Sequence, residues 1–259
     1  MMRSIVRAWP HLKPRIQSAK KRLLLLDFDG TLVPIAKTPD AVVLSRKIKK
    51  ILDKLQCMDD TILCIISGRS VRDLKNHFGR RKLIYIGNHG FEFHGSGMSV
   101  PDEARRAKKL GVLIWLMARN LKEGFHGIPG ILVEDKTYTL SVHYRNLPQK
   151  FLPIFREKLK AMQKKYAHLP LTWKTGKKVW AVHPKIEWDK GAAALYICCH
   201  FPKALPIVIG DDVTDEDMFK ALRRNAITIR VGRSRKSLAR YYLKSPKSVA
   251  GFLEKLGNL

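Results

Sequence analysis

"KRLLLLDFDGTLVPI" (residues 21–35) joins four consecutive leucines to two aspartates and a glycine. An uninterrupted apolar run of this kind is typical of a strand that is buried on both faces of a parallel sheet. Asp27 and Asp29 follow the run directly, and carboxylates beside a core are costly unless a partner compensates their charge. Because ligands of open parallel sheets bind at the carboxyl ends of the strands, these residues predict a ligand site at that edge.

The chain on both sides of this strand alternates strand and helix patterns. Apolar runs predict further strands at residues 61–66, 83–87, 205–210 and 226–232. Apolar residues at helical spacing predict helices between them, for example over residues 45–56 and 70–78. This alternation predicts an α/β fold with a Rossmann-like parallel sheet that helices cover on both faces.

The middle of the chain follows a different pattern. One helix is predicted over residues 102–122, and a second helix begins at Pro148. Residues 131–145 alternate between apolar and polar around a turn, and residues 171–183 form a hairpin that turns at Gly176. Helices that alternate with hairpins predict a small antiparallel sheet with helices on one face, which is an α+β arrangement.

The two patterns together predict that one domain is inserted into another. The α/β core comprises residues 1–95 and 185–259, and the inserted α+β cap domain comprises residues 96–184. A chain of 259 residues is long enough to build a core in each of them.

Further polar groups fall at strand ends or at a helix start in the predicted core. They are Ser67-Gly68-Arg69, the acidic group of Asp211, Asp212 and Asp215, and Lys190. The first two groups follow predicted strands, and Lys190 opens the helix after the inserted domain. If these strands are neighbours, all of these groups meet Asp27 and Asp29 at one edge of the sheet.

Clustered carboxylates predict Mg²⁺ as a cofactor, because this ion binds a few carboxylates and keeps waters and a substrate phosphate as its other ligands. One carboxylate can attack phosphorus and form an aspartyl-phosphate, while another serves as general acid and then as general base. Gly30 permits a tight turn that aims backbone N–H groups at phosphoryl oxygens. Ser67 and Lys190 can neutralise charge on the transferred group.

The net charge of the chain is its most unusual bulk property. Fifty Lys and Arg residues against 22 Asp and Glu residues give a formal charge of +28. Such a charge fits a nucleic acid, an anionic membrane surface or an anionic small substrate. The basic residues occur in short pairs along the chain, without one basic tract that interleaves with aromatic residues. We therefore expect a solvated basic surface and do not expect a nucleic-acid partner.

The sequence also predicts the compartment. No apolar run approaches the roughly 18 residues of a membrane helix, and the N-terminus lacks the apolar core of a secretory signal. The four cysteines, at positions 57, 64, 198 and 199, form no CxxC pair and no regular framework. We expect reduced thiols in a cytoplasmic monomer that has no membrane partner.

These motifs resemble the haloacid dehalogenase superfamily of phosphotransferases, and more narrowly the trehalose-6-phosphate phosphatase family. The resemblance covers nearly all of residues 22–256 and rests on "DFDGTLVPI", "SGR", "GNHGFEF", "LSVHYR" and "GDDVTDED". It implies a haloacid dehalogenase core with an inserted cap, and a small sugar phosphate as substrate. The implied reaction is Mg²⁺-dependent hydrolysis of trehalose 6-phosphate to trehalose and phosphate.

The resemblance also implies roles for single residues. Asp27 is the implied nucleophile, Asp29 is the general acid and base, and Ser67 and Lys190 hold the phosphoryl group. The implied metal ligands are Asp27, Asp29 through its backbone carbonyl, Asp211 and Asp212, with Asp215 as an alternative helper through water. The implied substrate-binding residues are Gly68, Arg69, Asn88, His89, Glu134, Lys136, His143 and Arg145.

One segment departs from the family pattern and leaves the sugar open. The family usually carries Glu and Arg in a pattern such as "EIRP", whereas this chain reads "AVHP", with Ala181 and His183. A sugar hydroxyl loses an acceptor there, so sucrose phosphate or a mannosyl phosphate is an alternative substrate. A remoter alternative is a basic nucleic-acid-binding protein on this fold, but duplex binding would not need the catalytic acids.

Overall fold

The computed structural model describes residues 2–36, 38, 41–79, 83–95, 97–176 and 178–259. The contacts within the chain divide it into two compact units. The core unit comprises Met1–Val100 and Trp188–Leu259, and the cap unit comprises Pro101–Glu187. The sequence puts these junctions near residues 96 and 184; Ser96 itself lies outside the described residues.

Twelve strands and nine α-helices occur in the described residues. The strands are β1 (Arg3–Ser4), β2 (Lys21–Leu26), β3 (Thr61–Ile66), β4 (Ile84–Gly87), β5 (Glu92–His94), β6 (Leu132–Asp135), β7 (Leu140–His143), β8 (Leu171–Gly176), β9 (Val179–Pro184), β10 (Ala204–Gly210), β11 (Ile227–Val231) and β12 (Tyr241–Leu243). The helices are α1 (Ile5–Gln17), α2 (Arg46–Gln56), α3 (Val71–Phe78), α4 (Asp102–Lys109), α5 (Gly111–Gly124), α6 (Leu152–Lys165), α7 (Lys190–His200), α8 (Asp215–Leu222) and α9 (Pro246–Leu256).

The core unit is built on an eight-stranded sheet with the order β1-β12-β11-β10-β2-β3-β4-β5. All neighbouring strands are parallel except β4 and β5, which are antiparallel. Strand β2 lies between β10 and β3, with Leu24 opposite Ile207 on one side and Leu63 on the other. The predicted parallel sheet is therefore confirmed, and β5 adds a short antiparallel strand at its edge.

The four leucines of β2 explain how helices cover both faces of this sheet. Leu24 and Leu26 belong to an apolar cluster that includes residues of α1, α2 and α9. Leu23 and Leu25 belong to a second cluster that includes residues of α7 and α8. All four side chains are fully buried. At roughly 25 cal/mol for each Å² of apolar surface, this burial on two faces is a large contribution to the stability of the core.

The sequence does not predict α1. Pro10 and Pro14 lie inside this helix, and proline interrupts a helix interior because it lacks an N–H group and clashes with the preceding turn. The helix forms nevertheless, because Ile5, Leu12 and Ile16 are buried against the sheet.

The cap unit is a four-stranded antiparallel sheet with the order β6-β7-β9-β8. Its apolar face packs on α5 and α6 through a cluster of buried residues, which includes Ile114, Met117, Val142, Phe155 and Val182. The predicted α+β arrangement is thereby confirmed. Lys177 lies outside the described residues.

The structure corrects two predicted helices of the cap unit. The single helix predicted over residues 102–122 is two helices, α4 and α5, which meet at Leu110 and Gly111. Glycine is a poor helix former, and at Gly111 a Cβ atom would lie 3.0 Å from the carbonyl oxygen of Thr137. The second helix begins at Leu152, after a 3₁₀ turn over Gln149–Phe151, rather than at Pro148.

No helix in the described part of the chain has the length and apolar character that crossing a membrane requires.

Candidate active site

Asp27 and Asp211 lie side by side at the carboxyl ends of two paired strands. Asp27 directly follows β2 and Asp211 directly follows β10, and the backbone N–H of Asp27 donates to the carbonyl oxygen of Ile209 (2.9 Å). One carboxylate oxygen each of Asp27, Asp211 and Asp215 lies within 4.8 Å of the other two. The convergence predicted from the strand ends is therefore present, with Asp215 as its third member.

Gly30 is required where the turn after β2 approaches Asp211. Its φ is +79°, a conformation that side chains rarely adopt. A Cβ atom at this position would lie 2.1 Å from Oδ2 of Asp211. The hydroxyl of Thr31 donates to Oδ1 of Asp211 (3.3 Å). The Asp211 carboxylate therefore packs directly against the backbone of this turn.

Lys190 bridges the two most buried carboxylates of the cluster. Its Nζ donates to Oδ1 of Asp27 (2.8 Å) and to Oδ1 of Asp215 (2.7 Å), and its side chain is only 3% exposed. Lys190 is the first residue of α7, and Asp189 caps this helix by accepting from the N–H of Ala192. The start of the helix thus sets the ammonium beside the predicted nucleophile.

Asp215 uses both carboxylate oxygens inside the protein. Oδ2 accepts from the backbone N–H groups of Asp211 (2.8 Å) and Asp212 (2.9 Å), while Oδ1 accepts from Lys190. The side chain is fully buried. Asp215 therefore orders the turn after β10 and anchors Lys190. The sequence identifies this residue only as a member of the acidic group and as an alternative helper at the metal; its signal is an aspartate four residues after Asp211.

The charges of the cluster are not balanced within it. Burial, and then the charge of Asp215, raise the pKa of Asp27 well above its usual range, although Lys190 opposes the shift. Burial, and then the charges of Asp215 and Asp212, raise the pKa of Asp211 to about 6. Burial would lower the pKa of Lys190, but Asp215 and Asp27 raise it above its usual value. One ammonium thus faces three carboxyl groups, so Lys190 alone cannot neutralise the cluster when these groups are ionised.

This cluster fits Mg²⁺. Its available donors are carboxylate oxygens, which hard divalent cations prefer. A divalent cation would offset both the burial and the repulsion that raise the pKa values of Asp27 and Asp211. Asp29 and Asp212, which are also predicted ligands, lie outside the cluster of three. The side chain of Asp212 is exposed. The predicted contact of Asp29 uses its backbone carbonyl and stays a prediction.

Arg69 grips the carboxylate of Asp29. Its Nε donates to Oδ2 (2.6 Å) and its Nη2 donates to Oδ1 (2.8 Å), while Nη1 donates to Asp73 (2.7 Å). The guanidinium also lies over the ring of Phe28, 5.2 Å from its centroid. Arg69 is predicted to bind substrate, but here its guanidinium serves Asp29 and Asp73. The substrate contact of Arg69 stays a prediction.

Ser67 and Gly68 form the turn at the end of β3. The Ser67 hydroxyl accepts from the backbone N–H of Arg69 (3.2 Å), and its side chain is buried. A Cβ atom on Gly68 would lie 2.6 Å from the ring of His89, so this glycine makes room for the imidazole. The backbone N–H of His89 donates to the carbonyl oxygen of Ser67 (3.0 Å).

Asn88 joins the ends of β3 and β4. Its backbone N–H donates to the carbonyl oxygen of Arg69 (2.7 Å), and its Nδ2 donates to Oε1 of Glu92 (2.8 Å). The other oxygen of Glu92 accepts from the N–H of Val71, at the start of α3. Asn88 is fully buried, whereas His89 is partly exposed. Both stay predicted substrate contacts, and the structure gives Asn88 a clear structural role.

Three of the predicted sugar-binding residues cluster within the cap unit. Nε2 of His143 lies 2.9 Å from Oε2 of Glu134, and Nζ of Lys136 lies 3.4 Å from the same oxygen. Burial opposes ionisation of Glu134, but His143 and Lys136 outweigh it and lower its pKa. Strand β7 ends at His143, so the alternating pattern predicted up to residue 145 continues beyond the strand, and the side chain of Arg145 is exposed. Its sugar contact stays a prediction.

Ala181 and His183 lie on the same face of this sheet as Glu134. Ala181 pairs with Ser141 on one side and with Lys174 on the other, and Ser141 pairs in turn with Glu134. Ala181 therefore interrupts a row of polar side chains. Burial, and then the charges of Lys174 and Lys136, lower the pKa of His183 to about 4. The imidazole is consequently neutral at pH 7 and can both donate and accept a hydrogen bond.

A parallel sheet that carries acidic residues after β2 and β10, with an α+β unit inserted in the chain, defines the fold of the haloacid dehalogenase-like hydrolases. A solved structure of such a hydrolase from B. subtilis matches with a TM-score of 0.55 and 17% identity, over 90% of this chain and 99% of that chain.

The chain belongs to the trehalose-phosphatase family, whose family model matches residues 25–247. A probable trehalose-phosphate phosphatase from Oryza sativa subsp. japonica is 34% identical over 92% of this chain, which spans 66% of that relative's length. The C-terminal domain of a trehalose-6-phosphate phosphatase from C. albicans superposes with a TM-score of 0.80 at 25% identity, over 100% of this chain and 99% of that domain.

Proposed function

We propose that this chain is a Mg²⁺-dependent phosphatase that hydrolyses trehalose 6-phosphate to trehalose and phosphate. The observation that carries the proposal is the cluster of Asp27, Lys190, Asp211 and Asp215 at the carboxyl ends of β2 and β10. The names of its relatives, which are trehalose-phosphate phosphatases, support the choice of sugar.

In the first step, an oxygen of Asp27 attacks phosphorus and an O–P bond forms. The bond between phosphorus and the sugar oxygen breaks, and Asp29 gives its proton to the leaving oxygen. Lys190 holds Oδ1 of Asp27, so Oδ2 is the oxygen that is directed to the substrate. In the second step, Asp29 takes a proton from water, and the resulting hydroxide attacks phosphorus and releases Asp27.

At least one of the two hydrogen bonds from Arg69 to Asp29 has to break during this cycle. A proton on either oxygen of Asp29 displaces one of the two hydrogen bonds from Arg69. The side chain of Asp29 is 37% exposed, so it has room to turn toward a substrate oxygen. We propose that Arg69 holds Asp29 between turnovers and releases it when the leaving group is in place.

Asp27 and Asp211 would hold the Mg²⁺ ion, together with the predicted carbonyl of Asp29 and with Asp212. When bound, the ion supplies positive charge that stabilises the phosphoryl oxygens. Ser67 and Lys190 bind the same phosphoryl group in our proposal. In the cap unit, we propose sugar contacts for Glu134, Lys136, His143 and Arg145, and in the core unit for Gly68, Arg69, Asn88 and His89.

A second candidate keeps the chemistry and changes the sugar. Ala181 interrupts the polar row of the cap sheet, so a sucrose phosphate or a mannosyl phosphate is the alternative substrate. The two candidates differ in kcat/KM rather than in catalytic residues, since specificity reflects differential binding of the transition state.

The deciding experiment measures phosphate release from trehalose 6-phosphate, glucose 6-phosphate, sucrose 6-phosphate and a mannosyl phosphate, with and without Mg²⁺. We expect the highest kcat/KM for trehalose 6-phosphate and no turnover without a divalent ion. Asp27→Asn should abolish release, whereas Asp59→Asn, at an exposed position of the core unit, should retain it. An active Asp27→Asn enzyme would exclude the mechanism. Equal kcat/KM values for trehalose 6-phosphate and glucose 6-phosphate would exclude trehalose 6-phosphate as the specific substrate.

The proposal includes a cytoplasmic monomer with no nucleic-acid partner. The compartment is proposed because Cys57, Cys64, Cys198 and Cys199 are all free thiols, as is usual in a reducing compartment. Light scattering of the purified protein tests the monomer, and fractionation of the source cells tests the location.

A further inference from the structure

A cavity of about 510 Å³ lies in the core unit, away from the catalytic cluster. Five arginines line it, together with Ser234, Ser237 and Tyr241. The arginines are Arg3, Arg223, Arg233, Arg235 and Arg240. No Asp or Glu occurs among the lining residues. Five like charges around one cavity repel each other, so the site is prepared for a ligand of opposite charge.

We call this cavity the arginine pocket, and four of its five arginines are not neutralised by an acidic side chain of the described residues. In the described part of the chain, no carboxylate forms an ion pair with Arg3, Arg223, Arg235 or Arg240. Their side chains are exposed at the mouth of the cavity. Arg233 lies over the ring of Tyr242, 5.9 Å from its centroid. Guanidinium groups bind phosphate through two parallel hydrogen bonds, so each of them can take one phosphate edge.

Two hydroxyl groups add neutral donors to the arginine pocket. Oγ of Ser234 accepts from the N–H of Lys236 (3.2 Å), and Oγ of Ser237 accepts from the N–H of Ala239 (3.1 Å). These bonds use the oxygens and leave both O–H hydrogens to be donated to a ligand. The lining is therefore rich in donors, which suits an acceptor-rich anion.

The arginine pocket is separate from the catalytic site. None of its lining residues belongs to the catalytic cluster. Arg3 and Tyr241 begin β1 and β12, and Arg233, Arg235 and Arg240 lie in the segment between β11 and β12. In the sheet order, β11 and β12 are two and three strands from β2, which at roughly 4.8 Å per strand is about 10 to 14 Å. A ligand in this pocket therefore does not occupy the position of the phosphoryl group that Asp27 attacks.

We infer that the arginine pocket binds a small molecule that carries two or more phosphate groups. The volume lies in the range of ligand cavities, which is about 300–1,000 Å³, and several guanidiniums require more than one phosphate. A nucleic-acid duplex would need a more extended basic surface than one pocket of this size. This site accounts for part of the +28 charge and goes beyond the proposed phosphatase activity.

The test is a calorimetric titration of the full chain with inorganic tripolyphosphate, without Mg²⁺ and at constant ionic strength. We expect one saturable site, with an affinity at least tenfold above that for orthophosphate. Arg235→Gln with Arg240→Gln should weaken tripolyphosphate binding at least tenfold. The control pair Arg46→Gln with Lys50→Gln removes the same charge from exposed positions of α2 and should change the affinity less than twofold. If the double variant does not fold, Arg235→Gln alone is used, and its affinity for tripolyphosphate should be about threefold lower than that of the unmodified protein.

Four outcomes would overturn the inference. They are an absence of saturable binding, an equal loss in both double variants, an unchanged affinity in the Arg235 variants, and equal affinities for orthophosphate and tripolyphosphate. A twelve-base-pair DNA duplex is titrated in parallel. Pocket-dependent binding of the duplex that tripolyphosphate does not compete away would also overturn the inference, in favour of a nucleic-acid surface.

Discussion

Arg69 binds Asp29 through two parallel hydrogen bonds of 2.6 and 2.8 Å. The same guanidinium donates to Asp73 on the first turn of α3. The pair therefore ties the residue that we propose as the proton donor to a rigid helix. Replacing the planar fork of Arg with the single ammonium of Lys would keep the charge and remove the two-point attachment.

Arg69→Lys should lower kcat about tenfold to a hundredfold, because general acid–base catalysis contributes roughly 10²–10⁴-fold and depends on orientation. The change in KM should be small. Steady-state kinetics with a sugar phosphate check this, and Arg72→Lys, at an exposed position of α3, is the matched control. Equal kcat values in Arg69→Lys and the unmodified enzyme would show that the two-point attachment of Asp29 to Arg69 has no catalytic role.

Asp215→Asn should destabilise the protein by about 3 kcal/mol, since removing one partner from a buried ion pair leaves the other charge uncompensated. The amide keeps only one acceptor oxygen for Lys190 and for the two backbone N–H groups that Asp215 binds. Urea unfolding monitored by circular dichroism measures the change. Asp59→Asn is the control, and a loss below about 0.5 kcal/mol in Asp215→Asn would contradict the structural role.

Gly30→Ala should lower activity on the order of a hundredfold, as expected when a reacting group is displaced by about an ångström. The new methyl group would lie on the Asp211 carboxylate. Gly97→Ala is a sharp control, because Gly97 also has a positive φ (+66°) but a Cβ atom added there would meet nothing within 4 Å. Similar kinetics of the two variants would mean that the contact with Asp211 is unimportant.

Thr31→Val should raise the Mg²⁺ concentration for half-maximal activity by roughly tenfold, because partners of metal ligands typically contribute 10–100-fold in metal affinity. The hydroxyl of Thr31 donates to Asp211 and is fully buried. Activity at saturating Mg²⁺ should recover to within about twofold. A Mg²⁺ dependence that does not move would separate Thr31, and with it Asp211, from the metal site.

The lowered pKa of His183 should make the folded protein less stable in acid. Its pKa in the folded protein is about 4, below its usual value near 6.5, so between these two pH values the unfolded chain binds a proton that the folded chain does not. Unfolding is therefore favoured as the pH falls from about 6.5 to 4. His183→Gln should show a smaller fall in the melting temperature over this window. The exposed His126→Gln is the control, and parallel melting curves for all three proteins would refute the prediction.

Much of the core fold follows from the sequence. The run of four leucines requires burial on both faces, and this alone places helices above and below β2. Strands β5 and β12 have only three residues each, so no periodicity reveals them, and they form because a neighbouring strand is available for pairing. The break between α4 and α5 falls at Gly111, where a Cβ atom would lie 3.0 Å from the carbonyl oxygen of Thr137, and the periodicity of the segment does not show this close approach.

The meeting of Asp27 and Asp211 follows from the sequence, but the hydrogen-bond partners of the site residues do not. Parallel strands bring their carboxyl ends to one edge, and this is enough to bring Asp27 and Asp211 together. The sequence cannot show which oxygen Lys190 contacts, or that Asp215 uses both oxygens within the protein, because these choices depend on rotamers set by packing. For the same reason, the sequence cannot show that the guanidinium of Arg69 binds Asp29.

The contact between Lys190 and Asp27 joins residues that are 163 positions apart in the chain. Closing so long a loop costs conformational entropy before the favourable contacts between the strands can form, and long-range strand pairing slows folding. The hairpins of the cap unit are local, whereas β10 reaches β2 only after the whole insertion has been synthesised. The return of enzymatic turnover after dilution from denaturant therefore reports the joining of the two halves of the core, and it should lag behind the formation of secondary structure.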